Sequence, residues 1–162
     1  MANTTAYDSR VFDVLAFRGA KSTGDILLTQ SLFDAEAGGE ICTGVQKLAQ
    51  RWALEFLTQR GSMGFHMAAR GTQFMTWAIA GRLRTEYDVQ TYFGFAANQA
   101  KVNLLNEETA DMHPEERFES AVLDRIEIAE NGFALYVTIT SQAGDSRAVI
   151  LPVASVPGAL SV

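Results

Sequence analysis

The feature that most constrains this chain is a change of period in its last third. From Val122 the residues alternate two by two, with Val122, Asp124, Ile126 and Ile128 in one row and Leu123, Arg125 and Glu127 in the other. That is the spacing of a strand with two distinct faces. Asn131-Gly132 comes next, a pair suited to the tightest hairpin turns because both residues tolerate positive φ. Phe133, Leu135, Val137 and Ile139 then form an opposite inward row, and a turn at Ala143-Gly144-Asp145 leads into residues 147–153, near whose end Pro152 sits. The pattern predicts a three-strand antiparallel meander with one apolar face to bury and two edges to protect.

Helices are expected ahead of the meander to cover that face. Thr43 can cap a helix beginning at Gly44, in which Val45, Leu48, Ala49, Trp52, Phe56 and Leu57 recur at helical spacing until about residues 59–61. An irregular loop over 61–71 and a short helix over 72–80 come after it. A third helix is predicted over 88–105, with Asp88 as N-cap and Val89, Tyr92, Phe93, Ala96, Ala100 and Leu104 on one face; Gly94 weakens it by about 1 kcal/mol relative to Ala. Residues 106–119, acidic and containing Pro114, read as an exposed connection. At the other end, alternation over 11–17 and 26–33 around a loop with Gly19 and Gly24 predicts a hairpin, joined by a linker over 35–40. The fold class is therefore α+β: a small antiparallel C-terminal β-meander packed by three helices, with an N-terminal β-hairpin extension. The division is an arm over 1–40 and a domain over 41–162.

A chain of 162 residues is long enough for one core without staples. A net charge of -6 argues against duplex binding, which needs clustered Lys and Arg to displace counterions. Cys42 is the single cysteine, so a disulfide framework and a multi-cysteine metal cluster are both excluded. With no secretory h-region, and no apolar run approaching the ~18 residues a bilayer span needs, the expectation is a soluble protein made in the cytoplasm, without nucleic-acid or membrane partners.

Catalytic chemistry finds little footing. His66 and His113 are the two histidines, far apart and outside any metal-ligand spacing. No Gly-x-Ser-x-Gly elbow is present. Glycoside hydrolysis needs two carboxylates about 5–9.5 Å apart, and Glu55, Glu86 and Asp88 lie near the aromatic middle of the chain, but 19 acidic residues supply such neighbours by chance. The glycines of 60–71 lack the Lys-Ser/Thr of a phosphate cradle. Met63, Met67, Met75, Phe65, Phe74 and Trp77 read as core or interface. Arg82 and Arg84, flanking Leu83, read as a solvated helix end, with a carboxylate-binding patch for a partner as the alternative. The reading is of a protein that is not an enzyme and uses no cofactor.

The run Ile41-Cys42-Thr43-Gly44-Val45-Gln46-Lys47-Leu48, then Arg51-Trp52, Phe56-Leu57-Thr58, Gly61-Ser62 and Gly71-Thr72-Gln73-Phe74, resembles the gene-25-like baseplate wedge family of contractile-tailed phages, historically named lysozyme-like. The order and spacing of these pieces, and Arg117 ahead of the last strands, match that family's pattern over residues 41–153. The chain departs where many members carry Glu-Pro-Arg and it has His113-Pro114-Glu115-Glu116-Arg117. The resemblance implies a structural wedge protein and sheath initiator in the virion tail baseplate, assembled in the host cytoplasm. Several copies, commonly six, would ring the tail tube. Expected partners are the tail sheath protein, other wedge and hub proteins, and the tube itself. Its mechanism would be β-strand addition. On this view Phe133, Leu135, Val137, Ile139, Arg147, Val149 and Leu151 form the strand template, and Arg51, Trp52, Arg82, Arg84 and Arg117 make wedge contacts. The alternatives are a type VI secretion baseplate component of the same fold and a lysozyme-like glycan hydrolase.

Overall fold

The long apolar rows of the C-terminal third build the sheet that organises everything else. In the computed structural model, which describes residues 13–14, 17–18, 26–27, 29–30, 41–62, 69–129 and 132–154, that sheet contains β6 (Phe118–Ala129), β7 (Gly132–Ser141) and β8 (Ser146–Ala154) as an antiparallel meander. Earlier pieces are β1 (Asp13–Val14), β2 (Phe17–Arg18), β3 (Ile26–Leu27), β4 (Thr29–Gln30) and β5 (Ile41–Cys42). Helices α1 (Gly44–Leu57), α2 (Phe74–Ile79) and α3 (Glu86–Glu107) lie between, with a 3-10 turn at Pro114–Glu116.

The α+β class and the three-helix, three-strand domain are as the sequence predicts, and the differences are local. β2 and β4 pair antiparallel, Phe17 with Gln30 and Arg18 with Thr29, within the span of the expected hairpin. Apart from β1 and β3, the rest of that hairpin, its loop and the 35–40 linker lie outside the described residues, as do Met63, Phe65, His66, Met67 and Asn131. β1 instead joins β5 at the foot of α1. The sheet gains a fourth strand, because β3 runs parallel to β8, with Ile26 opposite Val149 and Leu27 opposite Ile150.

Helix α3 begins two residues before the expected start. Thr85 is the N-cap and Asp88 sits at N3; the Asp88 amide donates to Thr85 Oγ1 (3.1 Å) and the Thr85 amide donates to Asp88 Oδ2 (3.0 Å). Asp88 thus closes a capping box and does not itself start the helix. α2 starts at Phe74 and not at 72, since Thr72 is drawn into a parallel bridge with Gln59, its amide donating to the Thr58 carbonyl. The connection expected to be exposed is partly interior: Glu116 is buried, and β6 already begins at Phe118.

Along β6 the simple alternation fails at a bulge between Leu123 and Arg125. One extra residue switches the side-chain parity of the rest of the strand. Leu123 and Ile126 therefore share the helix-facing side with Ala121, and Val122, expected in the same row as Ile126, is 54% exposed.

The inner faces of β7 and β8 meet the helices as Phe133, Leu135, Val137, Ile139, Val149 and Leu151, all buried. Rings tie the layers together. Trp52 stacks on Phe56 at 4.8 Å, Phe56 reaches Phe74 at 4.7 Å and Phe93 at 5.3 Å, and Phe74 meets Phe133 edge-on at 6.3 Å. All three helices and the central strand thus contribute to one aromatic chain, and each such pair adds roughly 0.5–1.5 kcal/mol beyond its area burial.

Candidate functional site

Two features beyond the core stand out: a polar network on one side of α1, and the β6 border of the sheet, which meets no strand among the described residues.

The network grows from Lys47, Arg51 and Glu55, spaced four apart on α1 and so stacked along one helix face. Lys47 Nζ pairs with Glu116 Oε2 at 2.7 Å, and the Gly44 amide donates to the other oxygen of that carboxylate. Arg51 reaches Glu107 at 3.4 Å and the Glu116 carbonyl at 3.5 Å. Glu55 accepts from the Gly71 amide and Asn103 Nδ2 on one oxygen, each at 2.6 Å, and from Arg70 Nε on the other at 2.7 Å. Arg70 also pairs with Glu107. The network therefore ties α1 to α3, to the turn before α2 and to the turn before β6. Buried charges persist where each is paired and hydrogen-bonded, as here.

Both oxygens of Glu55, the carboxylate weighed as a catalytic acid, are engaged in holding the Arg70-Gly71 turn. Glu86 and Asp88 lie instead in the first turn of α3, where Asp88 belongs to the capping box. Among the described residues, no group of three or more His, Cys, Asp or Glu could hold a metal ion, and no helix is long and apolar enough to cross a membrane.

The expected wedge contacts divide in two. Trp52 is fully buried at the centre of the aromatic chain, which removes it as a surface contact. Arg51 is spent in the network, and Arg117 donates to the carbonyls of Met112 (2.8 Å) and Ala110 (2.6 Å), holding the turn before β6. Arg82 and Arg84 are both exposed beyond α2, Arg84 bonding back to the Gly81 carbonyl at 3.1 Å.

The expected template strands need correction. β7 lies between β6 and β8, so its backbone groups are already committed on both sides, and Phe133, Leu135, Val137 and Ile139 point into the core. On β8, Val149 and Leu151 are buried under the helices, Arg147 is half-buried, and the outer edge at Val149–Ile150 is taken by β3. The border left open is β6, whose outer side meets no strand among the described residues.

A readable signal marked it. β6 carries Glu119, Asp124, Arg125 and Glu127, whereas β7 carries no charge at all. Charges and bulges are the usual protection of edge strands, and an uncharged run is the usual content of a central one. On the outer face Arg125 lies over the Tyr136 ring, 3.5 Å from its centroid, Tyr136 donates to Glu127 at 2.6 Å, and Thr138 donates to Asp124 at 2.7 Å.

Between β6 and α3 runs a groove with two hollows. The larger, about 380 Å³, has an apolar floor of Phe93, Leu123 and Ile126, with Glu86, Gln90 and Asp124 among its other walls. The smaller, about 220 Å³, is walled by Ala97, Asn98, Lys101, Phe118, Glu119 and Ala121.

No family model, curated protein or solved structure matches this chain.

Proposed function

We propose that this chain is a structural protein of a contractile-tail baseplate, a wedge component and sheath initiator that nucleates sheath polymerisation by β-strand addition at β6. The observation that carries the reading is the asymmetry of the sheet. One border is partly covered by the chain's own β3, and the other, 12 residues long, meets no strand among the described residues and is backed by helix α3. A rigid sheet with an open border binds an extended segment through main-chain hydrogen bonds, each worth about 1 kcal/mol net, while side-chain hollows select which segment binds. The family resemblance of residues 41–74 and of the turn at Arg117 supports the same role.

Ala121→Pro and Val122→Pro test it. Successive amides of a strand point to opposite sides, so one of these prolines removes an outward donor and the other breaks the ladder to β7. The substitution that leaves the melting temperature nearly unchanged identifies the outward amide. That variant is expected to join the baseplate yet fail to start sheath, as seen by electron microscopy of assembling tails. Normal sheath on that variant would end the proposal for β6.

A further inference from the structure

Resting on strand addition at β6, we propose that the groove between α3 and β6 selects the incoming strand by charge. The larger hollow takes a long-stemmed basic side chain, and the smaller takes a compact neutral polar one about four residues along the same strand.

A strand laid against β6 projects every second side chain toward the helices, at a spacing of roughly 6.8 Å. The hollows are centred on residues 123–126 and 118–121 of β6, about five residues apart, so roughly 17 Å at most along an extended strand. Strand twist and the bulge between Leu123 and Arg125 shorten that distance. Side chains four positions apart, roughly 13.6 Å, therefore fall one into each hollow.

Lining chemistry then decides identity. In the larger hollow the floor of Phe93, Leu123 and Ile126 accommodates a methylene stem, and the Glu86 carboxylate at its rim favours a cationic head, the Asp124 carboxylate being held by Thr138 on the outer face. Arg125 also borders this hollow, but its guanidinium is held against Tyr136 on the outer face, at 3.7 Å from Glu127. Its charge is thus drawn away from the floor. An acidic side chain here meets the Glu86 carboxylate, and a purely apolar one offers it no cation. The smaller hollow carries one charge of each sign, Lys101 and Glu119, and less volume, so it rewards neither charge.

The test uses the full isotope-labelled chain in nuclear magnetic resonance titrations, which detect millimolar binding. Three synthetic nine-residue peptides of alternating threonine and valine carry lysine, norleucine or glutamate at the centre. Lysine is expected to bind about three- to fivefold tighter than norleucine, with glutamate weakest, the range of a partly exposed ion pair. Glu86→Gln is expected to cut the lysine advantage below twofold, and raising salt to shrink it in the wild type. Equal affinity for lysine and norleucine, or an advantage that survives Glu86→Gln, overturns the charge selection while leaving the open border intact. If none of the peptides shifts the amides of β6, strand addition itself fails and the selection fails with it.

Discussion

Replacing Glu55 by Gln separates a structural carboxylate from a catalytic one. The Glu55 side chain is 2% exposed, with one oxygen serving the Gly71 amide and Asn103 and the other serving Arg70 Nε. Glutamine keeps the shape and can still accept from Gly71 and Asn103, but its amide nitrogen then faces the Arg70 N–H, donor against donor. A hydrogen bond to a charged group contributes roughly 1.5–3 kcal/mol. Arg70 is 35% exposed and can turn part-way to water, which discounts the loss to about 2 kcal/mol. For a domain of this length that is a fall in melting temperature of about 4–8 °C. Thermal unfolding measured by circular dichroism reads it directly. The double variant with Arg70→Met removes the facing donor, so its loss is expected to fall short of the sum of the single losses by at least about 1 kcal/mol. A melting temperature within about 1 °C of wild type, or strict additivity, refutes the role assigned to Glu55; a catalytic carboxylate behaves oppositely, its removal costing activity and sparing stability.

Gly71→Ala should destabilise by about 3 kcal/mol or more, because a Cβ there meets the Thr58 carbonyl oxygen at 2.4 Å on a backbone at φ +84°. Gly61→Ala, at φ +83° but in open space, should lose only roughly 1 kcal/mol, so equal melting temperatures for the two contradict the packing described. Glu116→Gln removes the negative charge 2.7 Å from the buried Lys47 ammonium and should lower stability by about 3 kcal/mol, whereas Lys47→Met with Glu116→Leu should recover most of it in chemical denaturation. The hydroxyl of Thr109, with a smaller contribution from the backbone of Asp111 itself, holds the Asp111 carboxyl below the ordinary carboxylate range. Thr109→Val should therefore move the Asp111 titration upward by magnetic resonance. Any stability that group adds is present at neutral pH and fades as pH falls through the folded-state value.

The readable parts of the sequence were those in which one period dominates. The inward row Phe133, Leu135, Val137 and Ile139 and the α1 face of Leu48, Trp52 and Phe56 are simple repeats of 2 and of about 3.6, and both land in the core. What escaped was decided by single residues acting on geometry. The bulge in β6 moves Leu123 to the helix side and leaves Val122 outside, and no periodicity carries that information. Thr85 outcompetes Asp88 as a cap because the two bond reciprocally, a box whose usual N3 partner is Glu or Gln. The strand order escaped by a subtler route. A meander says which strands are neighbours and leaves open which border a distant segment covers, and β3 is more than 100 residues from its partner in β8. The Glu55, Arg70 and Asn103 cluster brings together three separate elements, so spacing along the chain could not announce it.

The parallel pairing of Ile26 and Leu27 with Val149 and Ile150 bears on how an assembly could grow. A sheet that begins to finish one of its own sides gives polarity to whatever is built upon it. Successive additions can leave from the far side without a matching addition arriving at the near one. Under the strand addition proposed above, linear growth from such a subunit would favour one direction, set by the folded chain before any neighbour arrives.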